Sequence, residues 1–193
     1  CMPIIMIVSA FAALVSSGGA PRASIYMGKR DNQSAEQILG NCFILQIVVS
    51  FILTAVLLIW SEDLLLAFGA SENTISYAVD YMHIYAIGTL FVQLTLGMNA
   101  FITAQGFTTT SMVSVLIGAI CNITLDPLFI FGFHMGVKGA ALATVLSQAL
   151  STIWVIFFLC GKKTQLHLRK KNMHLESKVI IPCVTLGLAT FIM

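Results

Sequence analysis

Apolar residues run along this chain in blocks of ~20, the length that crosses the hydrocarbon core of a bilayer as a helix, and polar residues gather in short stretches between them. Six blocks stand out, at residues 1–20, 38–60, 77–100, 110–133, 139–160 and 179 to the end. The first and last are unusual. The chain opens on Cys1 inside an apolar run and stops at "GLATFIM", with a last block too short for a full crossing. The first block has neither the basic flank nor the small-residue cleavage site of a signal peptide. We therefore expect an internal piece of a longer polypeptide.

Composition agrees with a membrane solvent. Hydrophobic residues make up 58% of the chain and charged residues 9%, with mean hydropathy +0.94, whereas soluble domains carry about a quarter charged residues. The expected fold class is all-α, a polytopic membrane helix bundle with five to six crossings. A net charge of +2, with its basic residues confined to short stretches, gives no nucleic-acid face. Cys1, Cys42, Cys121, Cys160 and Cys183 sit singly, mostly in apolar runs, and read as packing residues without a disulfide or metal. H-E-x-x-H, G-x-S-x-G and Walker A sequences are all missing, so neither an enzyme nor an ATP-driven pump is indicated, and no cofactor is expected.

Nine of the ten lysines and arginines fall in two connections, 21–37 and 161–178. The positive-inside rule puts both in the cytoplasm. The opposite side has Lys138 and an acidic turn with Glu62, Asp63 and Glu72. The connection "GKKTQLHLRKKNMHLESK" is the one long polar stretch, expected either as a linker held by anionic lipid or as a solvated loop that sets topology. His167 and His174 within it lack a third ligand, so no transition-metal site is expected.

The candidate chemistry lies in "CNITLDPLFIF". No Asp, Glu, Lys or Arg occurs between Asp80 and Asp126 or between Asp126 and Lys138. Asp80 is near the outer turn, so Asp126 is the deep acid. Burying it costs about 2.5–3.5 kcal/mol on insertion scales, and such residues face a bundle interior or a water-filled cavity. A coupling acid and a structural acid both satisfy that placement. Asn122 is one helical turn earlier, on the same face. Pro127 cannot donate, which frees the carbonyl of Ile123 and favours a kink. Carboxylate, amide oxygen and carbonyl are hard ligands suited to a small cation. The chain then turns near Met135 and returns with Thr144 and Gln148 at depths matching Asp126 and Asn122. Gln93, Thr95 and Asn99 are candidate cavity-lining residues, or interhelical glue. "SSGGAP", residues 16–21, is expected to end a helix and let helices approach closely.

The stretches "GGAPRASIYMGKRDNQSAEQILGN", "FGASENTISYAVDYMHIYAIGTLF", "MNAFITAQGFTTTSM" and "IGAICNITLDPLFIFGFHMGVKGAALATVLSQ" resemble the amino-terminal lobe of multidrug and toxic compound extrusion (MATE) transporters. The resemblance implies a two-lobe, twelve-helix transporter. Residues 1–160 would hold part of helix 2 and helices 3–6, 161–178 a cytoplasmic basic linker, and 179–193 the start of helix 7. In the family's cation site, an Asn and an Asp four apart on the fifth helix and a Thr on the sixth correspond to Asn122, Asp126 and Thr144. The family's acid on the first helix has no counterpart here, which leaves Na⁺ and H⁺ both open as the coupling ion.

The resulting expectation is part of a cation-coupled antiporter of the bacterial inner membrane, exporting organic, often cationic, drugs. Its partners would be those drugs, membrane lipids and a second lobe. The alternatives are a lipid-linked oligosaccharide flippase of the same superfamily and a non-transporting structural membrane protein. Span interiors free of Lys and Arg favour drugs over anionic lipids.

Overall fold

A computed structural model describes residues 2–68, 75–161, 163–173 and 175–192. Among these the chain is helical, with no strands. The helices are α1 (Met2–Gly28), α2 (Asn32–Ile59), α3 (Ser61–Ala67), α4 (Ile75–Ala104), α5 (Thr108–Pro127), α6 (Val137–Cys160) and α7 (Ser177–Ile192). Five of them, α1, α2, α4, α5 and α6, are long and apolar enough to cross a membrane, α5 together with the turn that follows it, whereas α7 is shorter. The expected all-α membrane bundle is therefore found, with α3 as an addition at the outer end of α2.

Helix ends follow from local chemistry. At the end of α1, Arg30 N–H donates to Met27 O and Asp31 N–H to Tyr26 O. This pairing closes a helix through a residue in the left-handed region, here Arg30 at φ 60°. Asp31 then caps α2 by accepting from Ser34 N–H at 3.1 Å. The same closure ends α4, with Gly106 at φ 88° supplying the left-handed residue at no steric cost. The connections 29–31 and 105–107 are thus tight turns on one face of the bundle.

The helix break expected at residues 16–21 does not occur. α1 runs through Pro21 to Gly28, because what those small residues accommodate is another helix. A side chain at Gly18 would run into the backbone of Cys183 on α7, and one at Gly187 into that of Leu14. Arg22, expected in a loop, is consequently inside α1. Its Nη1 donates to Val179 O at 2.9 Å and lies 3.1 Å from Cys183 Sγ.

α4 is the central helix, packed against α1, α2, α3, α5 and α6. One core gathers Ala23, Leu39, Cys42, Met98, Phe101, Val155 and Leu159 near the face that carries the tight turns. A second joins Ile4, Val8, Leu57, Leu65, Met82 and Tyr85 toward the other face. There Lys138 Nζ lies 3.2 Å from Asp80 Oδ2, both half-exposed, so the one basic residue expected outside meets the acid expected at headgroup level.

The connection from α6 to α7 also departs from a loose solvated loop. Leu166 and Leu168 are buried in the first core, and the backbone of Asn172 lies directly on Gly40 of α2. Gln105 Oε1 accepts from Thr164 Oγ1, Gln165 N and Leu166 N at 2.7, 2.9 and 3.0 Å, and Asn41 Oδ1 accepts from Glu176 N at 2.7 Å. His167 lies outside any helix and His174 outside the described residues.

Candidate functional site

α4, α5 and α6 line an open cavity of about 290 Å³. α4 contributes Thr95 and Asn99, α5 Gly118 and Asn122, and α6 Thr144, Ser147, Gln148 and Ser151. The polar spacing of three and four along α6 turns one face of that helix to the cavity.

Polar groups toward the end of the cavity near the 105–107 turn are paired. Asn99 Nδ2 donates to Ser114 Oγ at 2.7 Å, and Ser151 Oγ donates to Ser114 O at 2.8 Å. Gly118 makes this possible, since a Cβ there would sit 2.7 Å from Ser151 Oγ. Thr95 and Thr152 hydroxyls meet at 2.7 Å, and Thr152 reaches Gln148 O at 2.8 Å. The bonds between helices tie α4, α5 and α6 together at a net worth of about 0.6 kcal/mol each, while the one from Thr152 to Gln148 O lies within α6.

Toward the other end the pairing stops. Asn122 Nδ2, Asp126 Oδ1 and Gln148 Oε1 are buried without a hydrogen-bond partner. A buried polar group left in that state costs about 1–3 kcal/mol, more when charged. Thr144 Oγ1 donates to Ala140 O at 2.9 Å, which leaves its lone pairs for another partner. Three acceptor oxygens and one amide therefore lie within about one helical turn of each other along α5 and along α6.

Asn122, Thr144, Gln148 and Asn99 share the cavity wall. Asp126 is not part of that wall; it stands one turn beyond Asn122, ~6 Å along the helix axis, with Oδ1 enclosed. Gln93 is outside the wall: its Nε2 donates to Val8 O of α1 at 2.9 Å, an interhelical contact. Its position two residues before Thr95 turns it to the other side of α4. Ser114 and Ser151 were missed, although the repeat Thr144, Ser147, Gln148, Ser151 was a readable sign of a polar face.

Just past Asp126 the backbone changes register. Pro127 has no N–H to continue the α-ladder, Leu128 N–H bonds Leu125 O, and Leu128–Gly132 form a π-turn closed by Phe133 N–H to Leu128 O at 3.0 Å. The expected disturbance after the proline is this π-turn; such turns are frequent at functional sites.

The MatE family model matches residues 1–128, through both Asn122 and Asp126. The chain belongs to the MatE family. Among curated relatives, multidrug export protein MepA of Staphylococcus haemolyticus (strain JCSC1435) is 28% identical over 192 residues, covering all of this chain and 42% of the relative. MepA of Staphylococcus aureus (strain NCTC 8325 / PS 47) is 26% identical over 196 residues, again with all of this chain and 43% of the relative. The chain thus spans less than half the length of these relatives. A multidrug resistance MATE family transporter of the MOP superfamily, solved in an inward-facing conformation, superposes with a TM-score of 0.91 at 23% identity. That match covers 98% of this chain and 43% of the transporter. A MOP superfamily transporter from Pyrococcus furiosus Vc1 (DSM3638) gives 0.90 at 23% identity, over 99% of this chain and 42% of its own. Family and fold together make this a multi-pass membrane protein of the MatE family.

Proposed function

We propose that the chain forms the amino-terminal lobe of a two-lobe exporter of the bacterial inner membrane, which moves organic, often cationic, drugs outward in exchange for Na⁺ or H⁺. Residues 1–160 act as the lobe, 161–178 as the connection at the cytoplasmic face, and 179–193 as the beginning of the second lobe's first helix. The support for the lobe assignment is that the matches to a curated relative and a solved transporter cover 100% and 98% of this chain but only 42% and 43% of theirs. MepA proteins, named for multidrug export, supply the substrate class.

The observation that carries coupling is a cluster of unpaired buried atoms on facing helices that includes a carboxylate oxygen, Asp126 Oδ1 with Asn122 Nδ2 and Gln148 Oε1; Gln46, Gln93 and Gln105 also carry an unpaired amide atom, but each is bonded through its other end. A bound cation would neutralise Asp126, accept electron density from Thr144 and Gln148, and remove the cost of leaving them unpaired. A proton on Asp126 requires no change at Asn122, because the protonated carboxyl still has an oxygen that can accept. A sodium ion needs the Asn122 amide turned by half a rotation so that oxygen faces it. Coupling then follows if cation and drug favour different packings of the bundle, since a ligand shifts an equilibrium only by its differential affinity. Arg22, the cation inside α1, does not argue for an anionic cargo, because it is bonded to Val179 of α7.

The test is Asp126→Asn in the complete two-lobe protein, with drug accumulation and membrane protein level measured together. Asn keeps the volume and most hydrogen bonding but removes the exchangeable charge. Efflux is expected to fall to background at unchanged protein level; normal efflux would leave Asp126 as interhelical glue.

A further inference from the structure

We propose that the groove between the first turns of α2 and the connection from α6 to α7 binds a phosphoryl anion at the basic face of the bundle. The groove has a volume of about 700 Å³ and is lined by Gln33 and Gln37 on one wall and Gln165, His167, Arg169 and Lys171 on the other.

The second wall is fixed in place. Leu166 and Leu168 are anchored in the core, Gln105 Oε1 holds the backbone at Gln165 and Leu166, and Asn172 rests on Gly40. The basic side chains therefore project from an ordered edge.

Glu36 sets their direction. Its side chain, 10% exposed, places Oε2 3.4 Å from Arg169 Nε, while Oε1 lies 3.5 Å from His167 Nδ1 and accepts from His167 N at 3.2 Å. Engagement through Nε leaves the two terminal amino groups of Arg169 unused. That edge of the guanidinium is the one that pairs with two phosphate oxygens at once. Lys171 has no ion-pair partner among the described residues, and the side-chain amides of Gln33, Gln37 and Gln165 make no hydrogen bond among them. Glu36 offsets one positive charge, so Arg169 and Lys171 together leave the groove positive. The nearby Asp31 is engaged with Ser34.

A phosphoryl group presents the oxygens these donors fit. Two sources share that chemistry: the headgroup of an anionic lipid and a soluble phosphate. The basic face is cytoplasmic by the positive-inside rule, where anionic headgroups accumulate. Binding here requires neither transport nor Asp126, so its failure would leave the exporter reading standing.

The complete protein, purified in detergent, would be followed by native mass spectrometry with phosphatidylglycerol or phosphatidylcholine. Thermal unfolding would be measured in parallel with inorganic phosphate against chloride at equal ionic strength. Phosphatidylglycerol is expected to be retained over phosphatidylcholine, and the R169Q/K171Q double variant to lose that preference by about thirtyfold, at about fivefold per basic residue. K29Q/R30Q, which removes equal charge from the neighbouring 29–31 turn, should retain it. Inorganic phosphate that fails to displace the lipid assigns the groove to a headgroup. Stabilisation by phosphate that depends on Arg169 and Lys171, without lipid preference, assigns it to a soluble phosphoryl ligand. Equal retention of both lipids with no phosphate effect, or equal losses in the two double variants, would overturn the proposal.

Discussion

α1 and α5 are both long apolar helices with polar residues directed at them, yet those residues are settled in different ways. Against α1, Gln46 of α2 and Gln93 of α4 are fully buried, and each donates from Nε2 to a backbone carbonyl, Ala12 O at 3.0 Å and Val8 O at 2.9 Å. Arg22 does the same toward α7. Between α5 and α6, Asn122, Asp126 and Gln148 carry buried atoms with no protein partner; Gln46 Oε1 and Gln93 Oε1 are unpaired too, but the Nε2 end of each of those side chains is bonded across to α1. The packing matches: 44% of the α1 apolar window is buried and 11% of that of α5. Residue type therefore does not distinguish glue from site in a membrane bundle. What distinguishes them is whether the side chain makes a hydrogen bond across to a neighbouring helix, which Gln93 does through Nε2.

The largest expected effect tests the tight side. Gly18→Leu puts a side chain where the backbone of Cys183 already lies, and overpacking against rigid neighbours costs 1–3 kcal/mol or more. α7 should detach, and the yield of monodisperse protein by size-exclusion should collapse. Gly18→Leu that purifies like the parent would show that α1 and α7 do not meet at this glycine.

Next come paired substitutions that contrast the two sides. Asn122→Ala and Thr144→Ala each remove one neutral contact to the cation and should lower efflux about tenfold, at unchanged thermal stability. Gln46→Leu and Gln93→Leu should do the reverse, keeping efflux and lowering stability by about 0.6 kcal/mol each, the average for interhelical hydrogen bonds in membranes. If the glutamine variants lost transport and the Asn122 and Thr144 variants lost stability, the division into glue and site would be inverted.

The apolar blocks in the sequence carry most of the fold, because a crossing helix must satisfy its backbone internally and be apolar over ~20 residues. The deep acid and its i, i+4 neighbour were legible for the same reason, since few polar residues occur there. Three things were not. The helix through Ser16–Pro21 continues because Gly18 meets α7, a contact some 165 residues away in the chain that no local pattern encodes. The docking of residues 164–168 depends on Gln105 accepting three donors, and only Leu166 and Leu168, two apolar residues in a basic stretch, hinted at it. The role of Glu36 depends on His167 and Arg169, which lie more than 130 residues away and meet it only in the folded chain.

The smallest expected effect lies at the turn between α1 and α2, outside the membrane-spanning part. Asp31 accepts from Ser34 Oγ at 2.6 Å and from Ser34 N at 3.1 Å, and these two bonds, the side-chain one first, hold its carboxyl below the usual carboxylate range. A carboxyl whose pKa is lower folded than unfolded stabilises the fold above its unfolded pKa, and the contribution fades as pH falls through the folded value. Asp31 is fully exposed, so solvent screening keeps this small. Thermal unfolding in detergent from pH 7 down to pH 3 should therefore show a slightly shallower loss of stability for Asp31→Asn than for the parent, because Asn still caps the helix but does not titrate. Asp31→Ala should lower stability at every pH and flatten the same slope. A pH slope in both variants identical to the parent would mean that the acid sensitivity of the fold arises elsewhere and that Asp31 acts at this turn only as a cap.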